Sequence, residues 1–252
     1  MKKLLNAFCI CFSMYSKIPM PQVDWKKENM KYVFCFLPLI GAVIGGISVG
    51  WYYLADYWGV SAMLYGAVAA VIPVLLTGGI HMDGYADTCD AIFSYGEPEK
   101  KLEILKDPRS GAFAVIYTCV YFLLLFGLFT QVYTGPYHIV EIGLGYILSR
   151  VLSGLAVVSM QTAKGSGLAH LFSGNADRLA VQIVLSGIGI LLLAAGVWFS
   201  LHVTLIVSAL LVINTLIFRR LCHKQFGGIT GDLAGFYLQI NEILILAACA
   251  LF

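Results

Sequence analysis

The chain has 252 residues, of which 60% are hydrophobic and only 12% are charged. Soluble domains carry about 25% charged residues, and a globule of this size cannot bury so much apolar surface, so the composition excludes an ordinary soluble protein. The net charge of +2 argues against a nucleic-acid partner. The seven cysteines include no Cys-x-x-Cys pair, which gives no support for a zinc site. The sequence therefore predicts an all-α, polytopic membrane helix bundle.

The first 31 residues begin with an apolar stretch that is too short to cross a bilayer comfortably. We interpret residues 1–31 as an N-terminal interfacial segment whose helix ends near Pro19 and Pro21. Seven apolar segments follow, and most reach the roughly 20 residues that a transmembrane helix requires. They cover residues 32–54, 61–80, 112–133, 136–160, 179–201, 203–218 and 233–252. The prediction is one integral membrane domain, residues 1–252, with about seven transmembrane helices plus interfacial helices.

The basic residues support this topology because nearly all of them fall on one side of it. Alternation of the seven segments groups the N-terminus with the connections 81–111, 161–178 and 219–232. These regions hold fifteen of the sixteen Lys and Arg residues, and the short connections opposite hold none. By the positive-inside rule, we expect this side to face the cytoplasm, in the cytoplasmic (inner) membrane. Glycine pairs at 41 and 45, and at 46 and 50, predict close helix contacts.

The densest polar cluster is G-G-I-H-M-D-G-Y-A-D-T-C-D-A-I-F at 78–93, where the second segment reaches the charged side. Asp83, Asp87 and Asp90 are spaced i, i+4, i+7, so on a helix they share one face. Carboxylates on one face repel one another unless a cation lies between them, and such oxygen ligands suit Mg²⁺ or Mn²⁺. The alternative is an acidic, solvated helix end.

Three further ionisable residues lie in or beside apolar sequence. On a continuous helix His81 would point about 160° away from the aspartate face. It would serve as a general base or phosphate ligand if the chain turned at Gly84, and a plain interfacial histidine is the alternative. Arg150 lies inside the fourth apolar segment and Glu242 inside the seventh, where ionisable groups are costly and are functional by default, so Arg150 is a candidate substrate-binding residue. A simple pairing of Arg150 with Glu242 is the alternative.

Residues 96–113 predict a short interfacial helix that ends at Pro108. Asp107 is a candidate to complete the metal site, while Lys106 and Arg109 are candidates to bind phosphate oxygens. A salt-bridged surface helix is the alternative. The motif 81–111 is thus the predicted catalytic loop.

Two glycine-rich stretches face the same side. One surrounds Lys164, whose positive charge makes it a further candidate substrate-binding residue. The other, G-G-I-T-G-D at 227–232, resembles a backbone nest for an anion with an acid attached, so Gly231 and Asp232 are candidate substrate-binding residues. Its G-G-I-x-x-D pattern repeats that of residues 78–83, which we interpret as shared local chemistry rather than duplication. Together these groups indicate metal-assisted attack on a pyrophosphate at a membrane surface.

Five stretches resemble the cobalamin-5′-phosphate synthases, also called adenosylcobinamide-GDP ribazoletransferases. They are S-K-I-P-M-P (16–21), F-L-P-L-I-G (36–41), G-G-I-H-M-D-G-Y-A-D-T-C-D (78–90), L-E-I-L-K-D-P-R-S-G-A-F (102–113) and G-G-I-T-G-D (227–232), the last followed by Gln239 and Glu242. The stretches extend over nearly the whole chain.

The resemblance implies a late step of vitamin B12 assembly at the membrane. Adenosylcobinamide-GDP would join α-ribazole or its 5′-phosphate, with Mg²⁺ and release of GMP, and the ribose 3′-hydroxyl would attack the cobinamide-side phosphorus. Asp83, Asp87, Asp90 and Asp107 would be the metal and catalytic carboxylates, and Lys106 and Arg109 would steady phosphates. The resemblance leaves a homo-oligomer open.

Two other functions remain as alternatives. One is a phospholipid-type phosphotransferase of the CDP-alcohol group, although Ile80 stands where the first aspartate of that group's pattern belongs. The other is a transporter that uses Arg150 and Glu242 for coupling. Transporters place their acids near the bilayer midplane, whereas these acids cluster at one interface, which disfavours transport.

Overall fold

A computed structural model gives the fold and describes residues 2–133, 138–163 and 168–252. Within these ranges the ordered elements are helical, and the β pairing is limited to an isolated parallel bridge between Thr162 and Ile229. The all-α prediction is confirmed. The helices are α1 (Lys2–Tyr15), α2 (Lys27–Met30), α3 (Leu37–Tyr57), α4 (Ala62–Thr77), α5 (Ile80–Phe93), α6 (Pro98–Ile104), α7 (Ala112–Val132), α8 (Ile139–Ser159), α9 (Leu168–Asn175), α10 (Arg178–Phe199), α11 (Leu201–Leu221) and α12 (Gly231–Leu251).

Six stretches of the described chain are helical, long and apolar enough to cross a membrane, and one bent helix pair gives a seventh. They confirm a multi-pass bundle of the predicted size. The six are Lys27–Tyr57, Ala112–Val132, Ile139–Ser159, Arg178–Phe199, Leu201–Phe226 and Gly231–Leu251. The seventh is the pair α4 and α5, which meet at an angle of 99°.

The bend lies at Gly78 and Gly79, whose φ angles of 67° and 81° fall in the left-handed region that glycine adopts without strain. The predicted straight span over residues 61–80 therefore ends at Thr77. The polar motif that follows is the separate helix α5, which leaves the direction of α4 at this bend. The predicted catalytic loop 81–111 is thus largely helical, since α5 and α6 occupy most of it.

The N-terminal segment and the connections rich in basic residues meet at one end of the bundle, as the charge pattern predicts. The Asp177 amide donates to the Lys31 carbonyl over 3.1 Å, and Ala163 donates to Ile229 over 3.0 Å. The Lys101 ammonium donates to the side chain of Gln225 over 2.6 Å, which joins α6 to the turn before α12. We call this the charged end.

The helices α8 and α12 form the centre of the bundle, with 67% of each spanning window buried, against 17% for α10. The predicted glycine contact is confirmed at Gly41 and Gly45, which lie directly against the backbone of α8. Gly46 and Gly50, in contrast, have open space where a side chain would begin. One glycine pair of α3 therefore packs a helix, and the other faces outward.

Candidate active site

A cavity of about 630 Å³ opens at the charged end. Apolar side chains from three separate elements line part of it: Met14 and Tyr15 end α1, Phe34 and Leu37 lead into α3, and Val157 belongs to α8. The polar lining comes from the first turns of α5 and α12, from Lys106, which follows α6, and from Ser153 and Thr162. These polar-lining positions include His81, Asp83, Thr230, Gly231 and Asp232.

The two copies of the G-G-I-x-x-D pattern build equivalent corners of this cavity. In the first, Gly78 and Gly79 end α4 and start α5. In the second, Gly227 and Gly228 have φ angles of 67° and 156° and stand before α12. Each glycine pair turns the chain so that a new helix begins at the cavity with unpaired backbone N–H groups in its first turn. Such helix starts favour anionic ligands.

Close backbone packing brings the aspartates of the two corners together. A Cβ on Gly84 would lie 2.8 Å from the backbone oxygen of Asp232, and one on Gly235 would lie 3.1 Å from the backbone oxygen of His81. Only glycine allows α5 and α12 to approach this closely. The packing therefore places Asp83 of α5 and Asp232 of α12 on the same cavity.

We predict that Gly84→Leu separates α5 from α12 and reduces activity at least about tenfold, because the added side chain meets backbone that cannot move aside. The free energy of unfolding should fall by about 1–3 kcal/mol, the usual cost of overpacking. Gly127→Leu is the matched control, since a side chain there meets open space. The measurements are thermal unfolding in detergent and transfer rate, and equal effects of both substitutions would contradict the packing argument.

The predicted aspartate face is present on α5 and carries strong mutual repulsion. Burial, together with the negative charges of Asp83, Asp232 and Asp90, raises the pKa of Asp87 to about 7. Asp83 is exposed to solvent, whereas Asp87 and Asp90 are half-buried. The fourth carboxylate of this group is Asp232, from the other end of the sequence.

The donor set fits Mg²⁺ in its chemistry. In the described part of the chain, no three His, Cys, Asp or Glu side chains converge on one point that would hold an ion. Magnesium does not require such a cage, because it keeps several waters and commonly binds one or two carboxylates plus substrate phosphates. Asp83 and Asp87, one helical turn apart, are the carboxylates suited to it, and a cation would relieve the repulsion that acts on Asp87.

His81 lies on the cavity but away from the aspartate face. The helix α5 continues through Gly84, so the side chain leaves on the other side, where it is buried and stacks on Tyr15 with ring centroids 5.8 Å apart. Burial, with a smaller effect of the Arg150 charge, lowers the pKa of His81 to about 3. The imidazole is therefore neutral near pH 7, and the turn that would make it a phosphate ligand is absent.

The structure separates the predicted residues of the segment after α6. Lys106 lines the cavity, as expected for a substrate-binding cation. Asp107 instead pairs with Arg109 at 2.8 Å, and hydrogen bonds from Arg109 lower the pKa of Asp107 to about 2. Neither residue lines the cavity, and Asp107 is not among the charges that act on Asp87. Lys164, the remaining predicted cation, lies outside the described residues.

Arg150 is not brought to the cavity. Its guanidinium is fully buried, pairs with Glu242 and donates to the backbone oxygen of Tyr146 over 3.1 Å. The ion pair links the two central helices, α8 and α12. The structure thus supports the simple pairing rather than the predicted contact with substrate.

The contribution of α1 and the membership of Asp232 in the acidic group were not predicted from the sequence. Tyr15 lies in an apolar stretch that carries no chemical signal. For Asp232 a signal did exist, because the repeated G-G-I-x-x-D pattern marks Asp83 and Asp232 as equivalent positions.

A multi-pass helix bundle with carboxylates, a lysine and two helix starts around one cavity has the features of an integral membrane enzyme. A family model described as cobalamin-5-phosphate synthase matches residues 7–250. The chain belongs to this family.

Curated relatives agree with this assignment. A protein of Lachnoclostridium phytofermentans named adenosylcobinamide-GDP ribazoletransferase is 44% identical over 248 residues, covering 96% of this chain and 92% of the relative. A Clostridium botulinum protein of the same name is 33% identical over 258 residues and is covered completely. A Clostridium perfringens protein of that name is 33% identical over 244 residues, covering 96% of each chain. No solved structure matches the chain.

Proposed function

We propose that the protein transfers adenosylcobinamide phosphate from adenosylcobinamide-GDP to α-ribazole or α-ribazole 5′-phosphate and releases GMP. The product is adenosylcobalamin or its 5′-phosphate, which makes this a late step of cobalamin biosynthesis. The names of the curated relatives supply the substrates. The observation that carries the proposal is the meeting of Asp83 and Asp232, from two glycine corners, on a cavity that Lys106 also lines.

The arrangement suits attack by a hydroxyl group on a pyrophosphate. The ribose 3′-hydroxyl oxygen bonds to the cobinamide-side phosphorus, and the bond from that phosphorus to the bridging oxygen breaks. GMP leaves with the electron pair of that bond, and the hydroxyl proton passes to a carboxylate of the acidic group. The first turns of α5 and α12 direct backbone N–H groups toward the phosphates, and Lys106 adds a positive charge.

Mg²⁺ is the proposed cofactor, held by Asp83 and Asp87 with Asp90 and Asp232 nearby. When bound, it neutralises charge on the transferring phosphoryl group and on the leaving phosphate. We further propose that the charged end faces the cytoplasm, because nearly all basic residues lie there. Membrane lipids then surround the exposed apolar faces of helices such as α10.

The family assignment favours this function over the two alternatives. A CDP-alcohol phosphotransferase requires an aspartate pattern that Ile80 interrupts. A transporter that uses Arg150 and Glu242 for coupling would need them to separate, whereas they are paired in the core.

The test is GMP release by the detergent-solubilised protein. We expect release from adenosylcobinamide-GDP only when α-ribazole or its 5′-phosphate and Mg²⁺ are both present. EDTA should stop the reaction and added Mg²⁺ should restore it. No GMP release from folded protein would refute the function, and release without an acceptor would indicate a hydrolase instead.

A further inference from the structure

The size of the cavity limits which parts of the two proposed substrates it can enclose. Protein sites of about 300–1,000 Å³ enclose ligands of nucleoside size, and this cavity of about 630 Å³ lies in that range. A corrinoid with its adenosyl and GDP groups is several times larger than any such ligand. The cavity can therefore enclose either the acceptor nucleoside or the guanosine end of the donor, but not the whole donor.

The polarity of the lining separates these two nucleosides. One part of the lining is mostly apolar, because Met14, Phe34, Leu37 and Val157 present hydrocarbon and aromatic surface there, and the hydroxyl-bearing residues Tyr15 and Ser153 also line the cavity. Guanine carries several hydrogen-bond donors and acceptors, and burial without partners would cost free energy for each of them. The benzimidazole base of α-ribazole is mostly apolar and has one free ring nitrogen, which only accepts.

His81 offers one polar atom beside this apolar surface. The residue lines the cavity, it is only 5% exposed, and its Nε2 atom has no hydrogen-bond partner among the described residues. A buried polar nitrogen without a partner costs about 1–3 kcal/mol, so a ligand that supplies the partner gains affinity. With its proton on Nε2, the imidazole offers one donor at that atom, which matches a base with a single acceptor.

We propose that this cavity is the acceptor site, in which the aromatic base lies among the apolar side chains and His81 Nε2–H donates to its free ring nitrogen. This inference rests on the proposed function and gives His81 a role in base recognition. The ribose then extends toward Asp83 and Asp232, which line the same cavity. The donor's corrinoid stays outside, and only its pyrophosphate reaches the carboxylates.

The experiment compares two acceptors that differ at one ring atom. α-Ribazole has the free ring nitrogen, and the corresponding dimethylindole riboside has C–H at that position. Equilibrium binding of each riboside to the solubilised protein is measured by calorimetry, without donor, so the result does not depend on turnover. We expect the wild-type protein to bind α-ribazole about 30-fold more tightly than the indole riboside, the effect of about 2 kcal/mol.

Three variants complete the test. His81→Phe should bind both ribosides with similar affinity, and His81→Gln, which keeps a donor near the Nε2 position, should recover part of the preference. His202→Phe, at the other end of the bundle, should behave as wild type. A wild-type preference that persists in His81→Phe would overturn the proposal, and so would displacement of α-ribazole by GMP at equal concentration.

Failure of the proposed function gives a different result. If α-ribazole binds with the expected preference but no GMP is released from adenosylcobinamide-GDP, the acceptor site stands and the transfer reaction is wrong. If GMP is released while His81→Phe keeps the preference for α-ribazole, the reaction stands and the base site is wrong.

Discussion

Replacement of Asp83 by alanine is expected to lower the rate of transfer by at least about a thousandfold while the protein still inserts and folds. Asp83 is exposed and lines the cavity, so its loss removes a charged group that faces the substrate and leaves the helix packing intact. Loss of one group that stabilises a charged transition state commonly costs a factor of 10²–10³, and loss of a metal ligand adds to this. The measurement is GMP release, with circular dichroism as the test of folding.

Three further variants make this prediction specific. Asp232→Ala should be impaired to a similar degree, because the second glycine corner places Asp232 on the same cavity. Asp107→Ala should lose less than about tenfold, since Asp107 pairs with Arg109 away from the cavity. Asp56→Ala, an exposed aspartate near the end of α3, is the matched control. Near-normal turnover by Asp83→Ala would refute the proposed role of the carboxylates.

The second prediction concerns the buried pair of Arg150 and Glu242. Glu242→Leu alone should lower the free energy of unfolding by about 3–5 kcal/mol, because it leaves a guanidinium charge buried without its partner. The double variant Arg150→Met with Glu242→Leu should recover most of that loss, since a well-packed apolar pair is often as stable as a buried ion pair. Unfolding in detergent by denaturant titration measures both changes, and Arg219→Met, at an exposed arginine, is the control.

The same double variant decides whether Arg150 contacts substrate. The structure predicts that the variant retains a KM close to that of the wild type for both substrates, because Arg150 lies in the core and does not line the cavity. A folded double variant with a KM raised tenfold or more would restore the substrate-binding role indicated by the sequence.

Hydropathy and charge were sufficient to predict the bundle. A helix needs about 20 apolar residues to cross a bilayer, and Lys and Arg are concentrated in the connections on one side of it. The bend at Gly78 and Gly79 could not be predicted in this way, since hydropathy does not report direction. Residues 61–80 form one apolar run whether or not the chain turns at its end.

The candidate site was predictable only where it depends on local spacing. Asp83, Asp87 and Asp90 share a face because the helical period places them there. The contribution of Asp232 depends on the packing of α5 against α12, which spacing within one segment cannot reveal. Asp107 is the opposite case. It is close to the motif in sequence, but it pairs with Arg109, two residues further along, and does not line the cavity.

The attachment of α8 to α12 determines how the cavity could widen. The two helices are joined in the core by Arg150 and Glu242, near the cavity by the Ser153 hydroxyl donating to Ala234, and at the charged end by the bridge of Thr162 with Ile229. They behave as a rigid frame, and α5 is fixed to that frame through its glycine contacts. Of the other elements that line the cavity, α1 and α6 lie outside this frame, so a covalent cross-link between them is expected to slow the entry of a bulky donor.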